Sequence, residues 1–391
     1  MHAVKALIVA ASFFSLASPL PETVLITGPL PEQSAQQADG TWHIRLSDNW
    51  TRKDGERWIN LQLHQGDRRQ MGVGVRPSEL QGLPSADENL SARDVRFTLR
   101  RDAGTFDFTG SFTNGLGAGM FSFSQNRDYV TAMRGRFGQL DDDDVMRLAI
   151  HDVSREFVSS IEREGYKPDL DGLLRMRIHG VDAKYIQDMR QAGFDKVPVD
   201  ELVKTRIHGA TPQYVQAMAT AGYRGLSLDD LVKTRIHGAT PEFVQDVKKA
   251  GYDKLDIDTL VKMRIHGVTP EFIREMRELG FKDLSIDELV QVRIHGATPS
   301  YIRQLRELGF KELALRDIVQ MRIHGVSIDF IKEIRALGYP DVTVPELVKL
   351  RIHGVTPEFI KEVRDSGYKE MSVGDLVDFS IHGRRWLRKR G

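Results

Sequence analysis

The sequence predicts an α+β multidomain chain in which a small antiparallel β domain precedes an α-solenoid of about nine αα-hairpin repeats. Two periodicities predict it. From Gly40 to Phe123 apolar and polar residues alternate, as in Trp42, Ile44 and Leu46, then Val95, Phe97 and Leu99. That is the pattern of half-buried strands. Beyond it the tetrapeptide Arg-Ile-His-Gly returns at a constant interval, starting at Arg177, Arg206, Arg235, Arg264, Arg293, Arg322 and Arg351, with Ser380-Ile381-His382-Gly383 on the next beat. A fixed 29-residue period without insertions means that each unit packs on the next in the same way.

The first element, residues 1–17, has one lysine, an apolar run from Ala6 to Ala17, and small Ser15 and Ala17 near its end. This fits a secretory signal peptide or short anchor, the run being shorter than the ~20 residues of a comfortable membrane span. Residues 18–39 carry Pro19, Pro21, Pro29 and Pro31 and read as a linker. Residues 40–124 then supply five to seven strands, enough for a small barrel or sandwich whose core holds Trp42, Trp58 and the phenylalanines. The solenoid is expected over 126–383 and a basic tail over 384–391.

One repeat, Ala239 to Gly267, shows how the hairpin is encoded. Thr240-Pro241-Glu242 starts a helix: threonine accepts from a free N–H, proline fits the first helical position, and glutamate faces the positive end of the dipole. Phe243, Val244 and Val247 form its apolar stripe, and Gly251 ends it. Asp256 starts a second helix with an expected stripe of Ile257, Leu260, Val261 and Ile265, closed by Gly267. In the next unit Ser285 and Glu288 make a capping box. Helices are expected near 241–250 and 257–266 and their equivalents. Two degenerate copies lie upstream, one at Ile150-His151-Asp152 and one around Tyr129 and Asp141 to Asp144.

The repeated polar residues are expected to be building parts, since an active site is needed once and these recur in every layer. The histidines His179, His208, His237, His266, His295, His324, His353 and His382 fall in a last helical turn, where an imidazole can bond free carbonyls. A shared zinc site is disfavoured. Zinc needs nitrogens ~2.0–2.1 Å away, while equivalent atoms of packed helices lie roughly 8–10 Å apart. The arginines Arg177, Arg206, Arg235, Arg264, Arg293, Arg322 and Arg351 lie along the apolar stripe, so each half-buried guanidinium needs a partner. Acids such as Asp258 or Glu288, or helix-end carbonyls of an adjoining hairpin, are the candidates. The aromatic at the third helical position (Tyr185, Phe243, Tyr301 and their equivalents) is inter-repeat core, with the tyrosine copies expected to reach a surface.

Composition narrows the function. Lys plus Arg equals Asp plus Glu at 55 each, so no global charge points to nucleic acid, and none is expected as a partner. The chain has no cysteine, which removes disulfides, thiolate metal sites and a cysteine nucleophile. No zinc-peptidase, phosphate-loop, dinucleotide or serine-hydrolase motif is present. No catalytic residue, cofactor or metal is therefore assigned. A rival reading places a hydrolase or accessory site in the β domain at His43 or His64. A second rival has the ladder arginines and the tail, Arg384 to Arg390 around Trp386, hold an anionic polymer or envelope surface.

The unit Arg351-Ile-His-Gly-Val-Thr-Pro-Glu-Phe-Ile360 and its copies resemble tandem repeats in the extracytoplasmic region of bacterial envelope proteins related to penicillin-sensing antirepressor metallopeptidases. The departure is large, because this chain has neither their multi-span segment nor a His-Glu-x-x-His motif. What the resemblance implies is an envelope sensor or binding module. The sequence reading is thus a periplasmic or secreted, non-enzymatic scaffold that binds a protein or peptide, with no stable membrane span.

Overall fold

The computed structural model describes residues 39–46, 50–51, 57–66, 69–84 and 89–383. The expected signal or anchor, all of the linker but its last residue, and the basic tail lie outside them. The chain forms two compact units, one of residues up to 100 plus 105–124, the other of 101–104 plus 125 onward.

The first unit is one antiparallel sheet. Its strands are β1 (Gly40–Arg45), β2 (Trp50–Thr51), β3 (Arg57–Gln65), β4 (Arg69–Val75), β5 (Leu80–Gln81), β6 (Ala92–Arg101), β7 (Gly104–Thr113) and β8 (Leu116–Gln125). They run in the order β2-β3-β1-β8-β7-β6-β5, with β4 also on β3. The sheet coils into a half-barrel, in place of the expected closed barrel or two-layer sandwich. The eight strands, one more than the upper expectation, include the two-residue β2 and β5, too short to show alternation. Trp42, opposite Leu63 on β3 and Gly119 on β8, centres the core. Glycines make the tight curl: a Cβ on Gly110 would meet Trp42 at 2.8 Å, and one on Gly119 the Thr109 carbonyl at 1.9 Å. Trp58 departs from expectation. It shares the outer face with Asn60 and Gln62, half-buried, with the Arg76 guanidinium 5.9 Å over its ring, while Ile59, Leu61 and Leu63 fill the core.

The second unit carries helices α1 (Arg127–Phe137) to α18 (Val373–His382), paired as nine hairpins among the described residues. The expected boundaries fall within a residue or two of α9 (Pro241–Lys249) and α10 (Ile257–Ile265). The caps are the encoded ones: Thr240 accepts from Phe243 N, and Asp256 from Thr259 N at 2.6 Å. Ser285 and Glu288 cap each other, and their hydrogen bonds hold the Glu288 carboxyl below its ordinary range. Gly267 takes φ +67°, which lets Val268 N reach the Met263 carbonyl at 2.8 Å and end the helix. Each helix packs closely on its equivalent one repeat on, α10 on α8 (Leu228–His237) and α9 on α11 (Pro270–Glu278). A helix of nine residues is marginal alone, so this stacking is what stabilises it. One buried cluster runs without a break from Ala210 to Val377.

The degenerate copies obey the same rules. Asp141 caps α2 (Asp142–Ile150) and Asp144 returns the bond. Tyr129 fills the aromatic slot, donating to Val153 O at 2.6 Å, and burial pushes its phenol well up. Asp152 stands where later copies have glycine and adopts φ +56°.

Candidate functional site: the face of the second helices

All seven motif arginines stack on an aromatic ring, and Arg177, Arg206 and Arg235 also reach a carbonyl of the previous repeat. Arg235, Arg264, Arg293 and Arg351 are exposed where half-burial was expected. Arg206 Nε donates to Gly180 O at 2.8 Å, Arg177 Nε to His151 O at 3.3 Å, and Arg235 Nε to His208 O at 3.4 Å. Each of these carbonyls ends the equivalent helix one repeat earlier. The other side of each guanidinium lies on the aromatic of its own hairpin: Arg206 is 4.6 Å from the Tyr185 ring centre, Arg264 5.0 Å from Phe243, Arg322 4.9 Å from Tyr301. Arg293 and Arg351 stack likewise on Phe272 and Phe330. The motif glycine belongs to this contact, since a Cβ on Gly238 would meet Arg264 Nη2 at 3.0 Å. In the last copy Ser380 replaces the arginine, and its hydroxyl donates to the same kind of carbonyl, His353 O, at 2.7 Å.

Two expectations about this motif need correction. Asp258 and Glu288 do not pair with the ladder: Asp258 takes Lys233, and Glu288 spends its carboxylate on Ser285. Only Arg177 also meets a carboxylate among the described motif arginines, that of Asp152. The imidazoles are not the parts that tie helix ends. At His151, His208 and His353 the ladder uses the backbone carbonyl, while the rings of His179, His208, His237 and His382 belong to exposed residues and those of His266, His295, His324 and His353 to half-buried ones. The His295 ring lies within hydrogen-bond distance of Gln291 Oε1, at 3.0 Å. We expect Arg206→Ala to destabilise by about 1–2 kcal/mol, from one stranded carbonyl and one lost cation–π contact. His208→Ala should stay within ~0.5 kcal/mol. Urea unfolding of the two variants measures both, and equal losses would overturn this division of roles.

The tyrosine copies also correct the reading, because their hydroxyls point inward. Tyr185 OH lies 2.8 Å from Thr205 Oγ1 and Tyr214 OH donates to Thr234 Oγ1 at 2.9 Å, both threonines being fully buried. Tyr301 donates to Val326 O at 2.7 Å, and burial pushes its phenol up to about 12. Part of the signal was in the sequence: twenty positions after Tyr185 and Tyr214 stand Thr205 and Thr234, whereas after Tyr301 stands Met321 and its hydroxyl takes a carbonyl instead. A second arginine ladder was missed as well. Arg306 and Arg335, near the ends of first helices, donate to Leu279 O at 2.5 Å and Leu308 O at 2.6 Å. Recurrence at Arg277, Arg306, Arg335 and Arg364 would have revealed it.

The largest departure is the isoleucine of the motif. Ile265 was placed in the buried stripe, yet Ile178, Ile207, Ile236, Ile265, Ile294, Ile323, Ile352 and Ile381 are each 45–56% exposed. Ile265 lies three and seven residues after Lys262 and Asp258, so it belongs to their solvent face. Along that face run ion pairs between layers: Arg175 with Asp200 at 3.0 Å, Lys204 with Asp229 at 2.7 Å, Lys262 with Asp287 at 2.6 Å. Surface pairs of this kind contribute about 0–1 kcal/mol each. The face thus presents a row of isoleucines between a neutralised charge ladder and the stacked guanidiniums.

On the sheet, His43 and His64 lie edge to face with centroids 5.2 Å apart, and burial, then the neighbouring His64 charge, lowers the His43 pKa. Neither ring has a hydroxyl or carboxylate partner among the described residues. No group of three or more His, Cys, Asp or Glu is placed to hold a metal among them, and no described helix is long and apolar enough to cross a membrane. Compared with known proteins, the chain matches no family model and no curated protein.

Proposed function

We propose that the protein is an extracytoplasmic, non-enzymatic repeat scaffold that binds a protein or peptide along the face of its second helices. The exposed isoleucine row carries this reading. Single apolar residues on a surface need no explanation, but an exposed isoleucine at the same position of eight successive repeats is a recurrent apolar feature that suits an interaction site. An isoleucine contributes nothing to solubility, and at this position it contributes little to the core. Solenoids use such repeated surfaces for extended partners. Two sequence features support the location: the signal-like residues 1–17 and the resemblance of the repeat to envelope proteins.

Photo-crosslinking amino acids placed at Ile236, Ile265 and Lys249 in cells test the reading. Crosslinks to one protein partner are expected from both isoleucine positions and not from Lys249, an exposed residue of the first-helix layer. Equal labelling at Lys249, or a partner captured only through residues 40–124, would sink it.

A further inference from the structure

We propose a copper site on the outer face of the sheet unit, with His43 and His64 as imidazole ligands and the Met120 thioether as the third, a donor set that favours Cu(I). The site shares no residue with the isoleucine row.

The sheet register builds it. His43 on β1 stands opposite Gln62 on β3 and Ala118 on β8, while Thr41 stands opposite His64 and Met120. His64 and Met120 each lie two residues beyond the one that faces His43, and so flank it on its two sides. Diagonal neighbours of this kind are ~7–8 Å apart at the backbone, within reach of long and aromatic side chains. All three share one face, because the alternate residues Trp42, Ile44, Leu61, Leu63 and Phe121 fill the core. His43 and Met120 are exposed and His64 is half-buried, so solvent reaches the trio. β1 is bonded on both sides, by β3 and by β8, which puts the ligands on paired strands rather than on a loop.

Two observations set this trio apart from an ordinary cross-strand pair. The first is the approach of the rings, whose centres are 5.2 Å apart, edge to face. A metal such as zinc holds imidazole nitrogens at ~2.0–2.1 Å, so two ligands of one ion have nitrogens no more than about 4 Å apart. Rotation about the side-chain bonds brings rings at this separation into that range without moving either strand. The second is Met120 itself. The methionines of the helical unit are buried, Met176, Met263 and Met321 fully, whereas Met120 is 46% exposed. Its thioether lies beside the imidazoles and out of the core.

The donors choose the metal. Calcium and magnesium take oxygen ligands, carboxylates above all, and the outward positions around the pair, Thr41, Gln62, Gln70 and Ala118, carry no carboxylate. Closed zinc sites use cysteine, histidine and carboxylate in a tetrahedron, and the chain has no cysteine. Imidazole suits copper, and a thioether selects its Cu(I) state. Cu(I) would use all three donors, and Cu(II) chiefly the two imidazoles.

The full chain is titrated with Cu(I) under ascorbate against a chromogenic Cu(I) chelator, and separately with Cu(II) and Zn(II). One Cu(I) per chain is expected, bound at least ~10-fold more tightly than Zn(II), with two nitrogen neighbours and one sulfur in its X-ray absorption. His43→Ala with His64→Ala should weaken Cu(I) binding at least ~100-fold, the upper end of what even loss of a supporting outer-shell partner costs. Met120→Leu should weaken Cu(I) at least ~10-fold, remove the sulfur neighbour and leave Cu(II) binding unchanged. Hydrogen exchange over residues 40–124 checks that each variant keeps its sheet. If the histidine variant does not, the sulfur neighbour of the parent and its loss in Met120→Leu still decide. Cu(I) retained by a folded histidine variant would place the metal on imidazoles of the repeats. A copper without a sulfur neighbour would make Met120 a bystander, and Zn(II) bound as tightly as Cu(I) would show no selection; any of these overturns the assignment.

Discussion

Replacing Trp42 by alanine is expected to destabilise the sheet unit by about 3–5 kcal/mol, the range for large aromatic truncations in a packed core. Trp42 is fully buried, edge to face with Phe97 at 5.0 Å and Phe108 at 6.2 Å, and tilted on Phe112 at 5.6 Å. Its indole N–H also donates to Thr109 O at 3.1 Å, so truncation strands a carbonyl as well as opening a cavity. The neighbours cannot collapse into the space easily. Gly110 and Gly119, which let β7 and β8 come so close, have no side chains to move. Hydrogen exchange should show raised exchange across 40–124. Protection there unchanged from the parent would mean that the half-barrel does not depend on this core.

Leu260→Ala should cost about 2–5 kcal/mol, whereas Ile265→Ala, five residues later on the same helix, should change stability by no more than ~0.5 kcal/mol. Leu260 is 1% exposed and belongs to the continuous cluster, packed between hairpins on either side. Ile265 is 56% exposed. Because each repeat is stabilised mainly by its neighbours, the loss at Leu260 should appear as faster exchange in the adjacent layers too. Thermal unfolding of the two variants side by side checks the pair. A similar loss at both would mean that the isoleucine row is core, and would remove the basis for a binding face.

Much of the solenoid was legible because its signals are local. Thr240, Pro241 and Asp256 act on backbone groups within one turn, and Gly251 and Gly267 are the residues a left-handed helix end requires. Such interactions close over three to six residues and hardly depend on what packs alongside, which is why boundaries could be read to within a residue or two. Alternation likewise marked Trp42, Ile44 and Leu46 as one face, and all three are buried.

What the tertiary structure decided depends on atoms a full repeat away. Ile265 and Val261 are four apart and equally apolar, yet Val261 meets the neighbouring layer and Ile265 lies with Lys262 and Asp258 in solvent. Arg177, Arg206 and Arg235 found carbonyls of the previous hairpin, Tyr185 and Tyr214 found buried threonines, and His151, His208 and His353 gave their backbone where rings had been expected. The sheet is a half-barrel in which Gly110 and Gly119 leave room where a Cβ would meet backbone of the paired strand. Sequence by itself determined the period, the caps and the helix ends, since those are settled by hydrogen bonds inside a turn. Which side of each helix end meets protein and which meets water was settled only by the stacking, because exposure is a property of the distance between layers.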